Sequence, residues 1–188
     1  MSRTARQPHA PLLAAFLIVL AAAAILWLMG RPALCSCGRI DWWGPTGPSQ
    51  SQMLFDWYSL SHIVHGFLFY ALFAILLKRW PLGHRFVLAM TIEAAWELVE
   101  NSPVIIDRYR EATIAMGYSG DSILNSVSDM AMMAVGFLLA RRLPLSGSVA
   151  LVAVLEIIPL VVIRDNLALN VWMLLSPNEA IRSWQAGT

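Results

Sequence analysis

Apolar residues along this chain fall into long runs that are separated by short polar segments. Five runs approach the length that a helix needs to cross a hydrocarbon core about 30 Å thick. They cover residues 12–29, 59–77, 85–99, 122–140 and 149–163. A sixth apolar piece, residues 167–175, is short for a span and is expected to form an interfacial or re-entrant helix. The pattern predicts an all-α fold, a polytopic membrane helix bundle of about five transmembrane helices in a single integral domain, residues 1–188.

Composition agrees with this pattern. Of 188 residues, 58% are hydrophobic and only 13% are charged, which is far from the average of a soluble globular domain. The net charge is +1, and no basic patch with interleaved aromatic residues is present. Membrane lipid is therefore an expected partner, and nucleic acid is not.

Basic residues indicate how the bundle is oriented. They cluster before the first span, between the second and third, and between the fourth and fifth, with no acid among them. Loops rich in Lys and Arg usually remain on the cytoplasmic side. We therefore expect a cytoplasmic N-terminus in a bacterial inner membrane. The basic residues are Arg3, Arg6, Lys78, Arg79, Arg85, Arg141 and Arg142.

Two cysteines follow the first apolar run as Cys35-Ser36-Cys37. On this orientation their loop lies outside the cytoplasm, where a disulfide to each other or to a partner chain is stable. Metal delivery is the weaker alternative for this pair.

Histidines and glutamates occupy the ends of the second and third spans that face outward. His62 and His65 share one helix face, and neutral imidazoles at this spacing can bind a divalent metal. The alternative is two interfacial histidines bonded to neighbours. Glu93, Glu97 and Glu100 form one stripe on the next helix. Three neighbouring carboxylates repel, so they need protons, cations or a metal.

The following span opens with further polar residues. Asp121 is expected to be the N-cap of this helix. Asn125 would make an interhelical hydrogen bond, whereas Asp129, two turns inside, needs a partner. The connector 101–121 is expected to contain a short helix that places Arg108 and Arg110 over the cluster, where guanidinium groups can hold phosphate. The alternative is a local network of these arginines with carboxylates.

Ionisable groups inside an apolar bundle are costly, so a shared functional site facing the periplasm or exterior is the working hypothesis. The expected metal is Zn, Mn or Fe. The predicted metal ligands are His62, His65, Glu97 and Asp129, the predicted catalytic residues are Glu97, Asp129 and Glu93, and the predicted substrate-binding residues are Arg108, Arg110 and Asn125.

Residues 56–130 resemble an uncharacterised family of bacterial multi-pass inner-membrane proteins, a domain of unknown function. The resemblance implies a location and no reaction. More distantly, the order of polar residues is similar to that of VanZ-like membrane proteins, which implies an envelope role. The motifs that carry the resemblance are Ser61-His62-x-x-His65-Gly66, Glu93-x-x-Trp96-Glu97-x-x-Glu100-Asn101-Ser102-Pro103, Asp107-Arg108-Tyr109-Arg110 and Gly120-Asp121-Ser122-x-x-Asn125-Ser126-x-x-Asp129.

Three functions are compatible with these features. The first is a metal-dependent hydrolase or group transferase that acts on a lipid-linked envelope substrate. The second is a non-catalytic membrane subunit or assembly factor, which would bind other membrane proteins and use the cluster to hold helices together. The third is an ion- or proton-coupled transporter, which the apolar inner halves of the spans argue against. Only Glu156 lies where it could relay a proton or ion between the site and the cytoplasmic side. The alternative for Glu156 is an ion pair with Arg164.

Overall fold

In the computed structural model, residues 9–47, 49–114 and 117–187 are described, and their regular elements are helices. Arg3 and Arg6 lie outside the described residues. An isolated β-bridge joins Trp43 and Phe55. The helices are α1 (Ala10–Leu28), α2 (Ser59–Leu76), α3 (Leu82–Glu100), α4 (Pro103–Ala112), α5 (Ile123–Arg142), α6 (Leu145–Ile163), α7 (Leu167–Leu175) and α8 (Glu179–Ala186), with a 3-10 turn at Gln50–Gln52.

Each apolar run that was expected to span is a helix in the structure. Four of them, α1, α2, α5 and α6, are long and apolar enough to cross a membrane. The third expected span, α3, has 19 residues, but it carries Arg85 near its start and three glutamates in its second half. Length and composition therefore support four spans among the described residues, and the fifth rests on how α3 packs.

The closest helix pair is α2 with α5, and two glycines make this approach possible. The backbone of Met133 and Phe137 lies where a side chain on Gly66 would be. On the other helix, the carbonyl of Ile63 lies where a side chain on Gly136 would be. Gly66 therefore lets a neighbouring helix approach closely, and that helix is α5.

The remaining long helices pack around this pair. Helix α3 contacts α5 and lies along α1, and α6 contacts α2. An apolar core of Phe73, Met90, Met133 and Phe137 fills the half of the bundle away from the polar residues. Helices α1 and α6 leave most of their apolar side chains exposed, as expected for surfaces that face lipid.

One end of the bundle, here called the site end, is where α1, α3 and α6 finish and α2 and α5 begin. Helices α4, α7 and α8 all follow helices that finish there. The short helix expected in the connector 101–121 is α4, which begins at Pro103. Helix α7 has nine residues, about 14 Å at 1.5 Å per residue, and it packs on α4. Helix α8 was not expected.

Glu156 supports α7 and does not pair with Arg164. Its carboxylate accepts hydrogen bonds from the backbone of Leu167 (3.3 Å) and Ala168 (3.2 Å). Asn166 is the N-cap and accepts from the backbone N–H of Leu169 (2.9 Å). Glu156 therefore satisfies the free N–H groups at the start of α7, a usual role for an acid there.

The loop between α1 and α2 closes over the start of α5. The carbonyls of Pro32 and Ala33 accept from the backbone N–H groups of Ile123 (2.8 Å) and Leu124 (3.1 Å). Cys35 and Cys37 are joined by a disulfide, which is the first of the expected alternatives. The loop thus anchors the helix that carries Asp129.

We predict that Gly66→Ala and Gly136→Ala each lower the thermal unfolding midpoint of the detergent-purified protein. An added methyl group would collide with backbone of the partner helix, and such overpacking costs about 1–3 kcal/mol. Gly147→Ala is the matched control, because its nearest neighbours are ring atoms of Pro144 at 3.5 Å. Equal midpoints for all three variants would contradict the close approach of α2 and α5.

Candidate functional site

His62 and His65 of α2 both contact Glu93 of α3. Nδ1 of His62 lies 2.5 Å from Oε1 of Glu93. Nδ1 of His65 lies 3.1 Å from each oxygen of the same carboxylate. Glu93 is fully buried, whereas the side chain of His65 is 17% exposed. The i, i+3 spacing on α2 places both imidazoles on one helix face, as expected, and both contact the same carboxylate, that of Glu93.

Two further acids surround the ring of His62. Oε1 of Glu97 lies 3.6 Å from its Nδ1, and Oδ2 of Asp129 lies 3.7 Å from its Nε2. Ser59 donates a hydrogen bond of 2.7 Å to the other oxygen of Asp129. Both oxygens of Glu97 are buried without a hydrogen-bond partner. His62 is thus the centre of the cluster, and Glu97 is its least satisfied member.

The predicted metal ligands do not form one set. His62, His65 and Glu93 each place a ligand atom within 4.8 Å of the others. A second such set contains His62, Glu97 and Glu100. Because the side chain of His65 points to Glu93, a set that joins both histidines includes Glu93 in place of Glu97 and Asp129.

Asp56 is a member of the cluster that sequence reasoning missed. Its carboxylate accepts from the backbone N–H groups of Tyr58 (2.7 Å) and Ser59 (3.1 Å), so it holds the start of α2. Burial, and next the negative charge of Asp121, raise its pKa from 3.8 to about 6. An aspartate just before a predicted helix often accepts backbone N–H groups two or three residues on, and this signal could have identified it.

Asp121 is not the N-cap of α5. Ser122 has that role and accepts a hydrogen bond of 3.1 Å from the backbone of Asn125. The carboxylate of Asp121 accepts from the Asn101 amide (2.8 Å) and the Tyr118 hydroxyl (3.0 Å). The backbone N–H of Asp121 in turn donates to Asn101 at 2.7 Å. Burial raises the pKa of Asp121, and these two donors oppose that rise.

Helices α7 and α8 are tied to the site end by further polar contacts. The hydroxyl of Tyr58 donates to Asp165 at 2.7 Å, and the side-chain amide of Gln185 donates to the same carboxylate at 3.1 Å. The hydroxyl of Tyr109 lies 3.0 Å from Glu100 and 2.9 Å from Asn170. Of these residues only Glu100 had a local sequence signal, and α8 and the packing of α7 onto α4 were not foreseen.

A cavity of about 750 Å³ lies above the cluster, between the start of α2, the end of α3 and the α6–α7 segment. Its polar floor includes His62, His65 and Glu93. Asn125 and Asp129 also line it, whereas Glu97 does not. The remaining wall is largely apolar, from Phe69, Ile92, Trp96, Val162, Leu167 and Val171. Its volume suits a small or medium-sized ligand with both a polar and an apolar part.

Arg108 and Arg110 are not among the residues that line this cavity. Nε of Arg108 donates to the carbonyl of Leu174 at 2.9 Å, because α7 packs against α4 and covers it. Nε of Arg110 donates to the carbonyl of Tyr118 at 2.6 Å, and its NH1 lies 3.4 Å from Asp107. The arginine that does line the cavity is Arg164, just after α6. Substrate binding by Arg108 or Arg110 stays a prediction.

Positive charge near these acids is scarce. Among the described residues, ion pairs that involve an arginine are Arg110 with Asp107 and Arg182 with Glu179, both at the surface. Within the part of the chain that the structure describes, the buried acids of the cluster form ion pairs only with His62 and His65. Buried charges are costly without a partner, so the cluster has room for protons or cations.

A family model described as a protein of unknown function (DUF2585) matches residues 26–187. The chain belongs to the DUF2585 family. The predicted resemblance to an uncharacterised bacterial family is thereby confirmed, and the more distant VanZ-like relation stays a prediction. The family match covers the polar cluster and α4, α7 and α8.

Bacterial relatives that are about half identical in sequence align with almost the whole length of this chain. A UPF0314 protein of Rhizobium johnstonii is 51% identical over 176 residues, which cover 93% of this chain and 90% of the relative. A UPF0314 protein of Sphingopyxis alaskensis is 52% identical over 178 residues, 94% of each chain. One of Paracoccus denitrificans is 52% identical over 180 residues, 94% of this chain and 93% of the relative. No solved structure matches the chain.

We predict that Asp56→Asn changes how stability depends on pH. The folded protein binds the Asp56 proton more tightly than the unfolded chain does, because its pKa rises from 3.8 to about 6. The free energy of unfolding therefore falls as pH rises through this window, by at most about 3 kcal/mol. Asparagine keeps an acceptor for the start of α2 but does not ionise.

Thermal midpoints of both proteins in detergent, at about pH 4.5 and about pH 7.5, measure this effect. The thermal midpoint of the variant minus that of the wild type should be greater at the higher pH than at the lower pH. A difference between the two proteins that is the same at both pH values would contradict the raised pKa of Asp56.

Proposed function

We propose that this is a bacterial inner-membrane protein that binds a divalent metal at the site end and acts there as a hydrolase or group transferase on a lipid-linked envelope substrate. The observation that carries the proposal is the set formed by His62, His65 and Glu93. Two imidazoles and one carboxylate, with ligand atoms within 4.8 Å of one another, are the donors that catalytic zinc sites use. Mn and Fe accept the same donors.

A bound metal at this set would supply a Lewis acid and an activated water at neutral pH. The chain supplies the groups around it. Asp129 lines the cavity beside His62 and is held by Ser59, so it is suited to accept a proton as general base. The side-chain nitrogen of Asn125 is buried without a partner and lines the cavity, so it can donate to a substrate oxygen. Glu97, away from the cavity, would act through His62.

The shape and polarity of the cavity support an amphiphilic substrate. Its apolar wall, with Phe69, Ile92 and Trp96 on one side, offers room for part of an acyl or isoprenoid chain. Its floor is acidic, and among the cavity-lining residues only Arg164 carries a permanent positive charge. An anionic headgroup would therefore depend on a metal for much of its electrostatic binding.

The charge bias along the chain supports the location. Lys78, Arg79, Arg141 and Arg142 lie at the end of the bundle opposite the site, which favours a cytoplasmic position for that end. With α3 as a fifth span, supported by its contacts along α1, the site end would face the periplasm. A headgroup exposed on the outer leaflet would then be within reach.

A non-catalytic subunit or assembly factor is the second candidate, and one observation favours it. Asn101 and Asp121 bond each other reciprocally, and Tyr58 and Asp165 join α2 to the α6–α7 turn. Such contacts stabilise helix packing whether or not chemistry occurs. A proton-coupled transporter has less support, since Glu156 serves the start of α7 and the core below the site is apolar.

We predict that the purified protein carries stoichiometric divalent metal and that the double variant His62→Ala/His65→Ala loses it. Two of three ligands are removed, so affinity should fall by well over tenfold. Mass-spectrometric metal analysis after size-exclusion chromatography measures the content. His84→Ala is the matched control, because His84 is exposed at the opposite end of α3. A wild-type protein without metal, even after loading with Zn²⁺ or Mn²⁺, would contradict the proposal.

We predict that metal-loaded wild-type protein converts a component of a bacterial membrane lipid extract and that Asp129→Asn slows this conversion about 10²–10⁴-fold, as loss of a general base does. Liquid chromatography with mass spectrometry of the extract identifies the substrate and product. Asp107→Asn is the control, since Asp107 is exposed on α4. If no lipid changes with the wild-type protein, or if Asp129→Asn is fully active while folded, the catalytic assignment is wrong.

A further inference from the structure

We propose that the site holds a second divalent cation, bound by Glu97 and Glu100 of α3 beside His62. The inference rests on the proposed function, because it adds a cation next to the metal that His65 and Glu93 would hold. Its ligand set is distinct apart from His62: one atom each of His62, Glu97 and Glu100 lie within 4.8 Å of one another.

The spacing of the glutamates favours two adjacent positions. Glu93, Glu97 and Glu100 lie on one face of α3 and extend roughly 10 Å along its axis. Glu93 is engaged by both histidines near one end of this stripe. Glu97 and Glu100 continue the stripe beyond the reach of His65. The two groups of ligands therefore follow one another along the helix.

Glu97 gives independent support, because it is buried and lacks a hydrogen-bond donor. It is 1% exposed, and neither of its carboxylate oxygens has a hydrogen-bond partner. Nδ1 of His62 lies 3.6 Å from Glu97, and it already lies 2.5 Å from Glu93. A buried carboxylate with no donor is strongly destabilising. A cation between Glu97 and Glu100 would remove this cost.

The surrounding residues are arranged to keep Glu97 and Glu100 in place. The hydroxyl of Tyr109 lies 3.0 Å from Glu100, and the Asn101 amide donates to the carbonyl of Glu97 at 3.0 Å. Both contacts leave the two carboxylate oxygens of Glu97 without a hydrogen-bond partner. Tyr109 itself is fixed by Asn170 of α7 at 2.9 Å. The second ligand set is thus supported by α4 and α7 and does not depend on His65.

The total charge of the cluster also exceeds what one divalent ion can neutralise. One ion offsets two of six negative charges if all are ionised, and a second offsets two more. Protons can account for part of the remainder, since Asp56 has a pKa of about 6 and that of Asp121 is raised. The six carboxylates are those of Asp56, Glu93, Glu97, Glu100, Asp121 and Asp129.

Manganese stoichiometry tests the proposal. The full-length protein is stripped with chelator in detergent, loaded with Mn²⁺, desalted and analysed for manganese per chain. Wild type should bind two ions, and Glu97→Gln and His65→Ala should each bind one. Glu179→Gln, at an exposed site on α8, should still bind two. If the wild type binds one ion and Glu97→Gln also binds one, the second site alone is overturned. If the wild type binds no ion, both sites are overturned.

A measurement on the wild type covers the case in which Glu97→Gln does not fold. Two Mn²⁺ ions held by neighbouring carboxylates are magnetically coupled, and their electron paramagnetic resonance spectrum differs from the six-line spectrum of an isolated ion. We expect six lines at low loading and a coupled spectrum at full loading. Six lines of undiminished intensity per ion at full loading would overturn the proposal.

Discussion

The contact between His62 and Glu93 is the interaction on which the site end depends. A carboxylate that is fully buried in an apolar bundle must have a partner, and Glu93 receives both histidines of α2. This contact sets the rotation of α2 against α3. It also brings the ring of His62 between Glu97 and Asp129, so three helices converge on one imidazole.

That convergence requires α2 and α5 to be close together, and the packing away from the site provides this. Gly66 and Gly136 let the two backbones meet one turn beyond His62 and two turns beyond Asp129. Below them the core is made of Phe73, Met133 and Phe137 and is wholly apolar. The bundle thus has an apolar half that holds the helices and a polar half that exposes its groups to one cavity.

Sequence periodicity was sufficient for the long apolar helices and for most of the cluster, because apolar runs and the i, i+3 and i, i+4 rules act locally. His62, His65, Glu93, Glu97 and Asp129 do come together. The pairing of His65 with Glu93 depends on the rotation of α2 against α3, which no local pattern encodes. Residues outside the spans were harder to foresee.

Long-range packing explains those differences. Arg108 turns to α7 because α7 folds back onto α4, a contact between residues 66 positions apart. Asp121 leaves the N-cap to Ser122 because Asn101 and Tyr118 bind its carboxylate. Gln185 reaches Asp165 at the site end only because it lies on α8, a helix of eight residues with too weak a pattern to predict.

An experimental density map with anomalous scattering data, collected on protein grown with zinc, tests the central claim most directly. The claim is that the buried cluster around His62 is a cation site. It predicts an anomalous peak within bonding distance of His62, His65 and Glu93, with zinc–nitrogen distances of about 2.0–2.1 Å. A map without such a peak, in which His62 still bonds Glu93 directly, would contradict it and favour a cluster that only holds helices together.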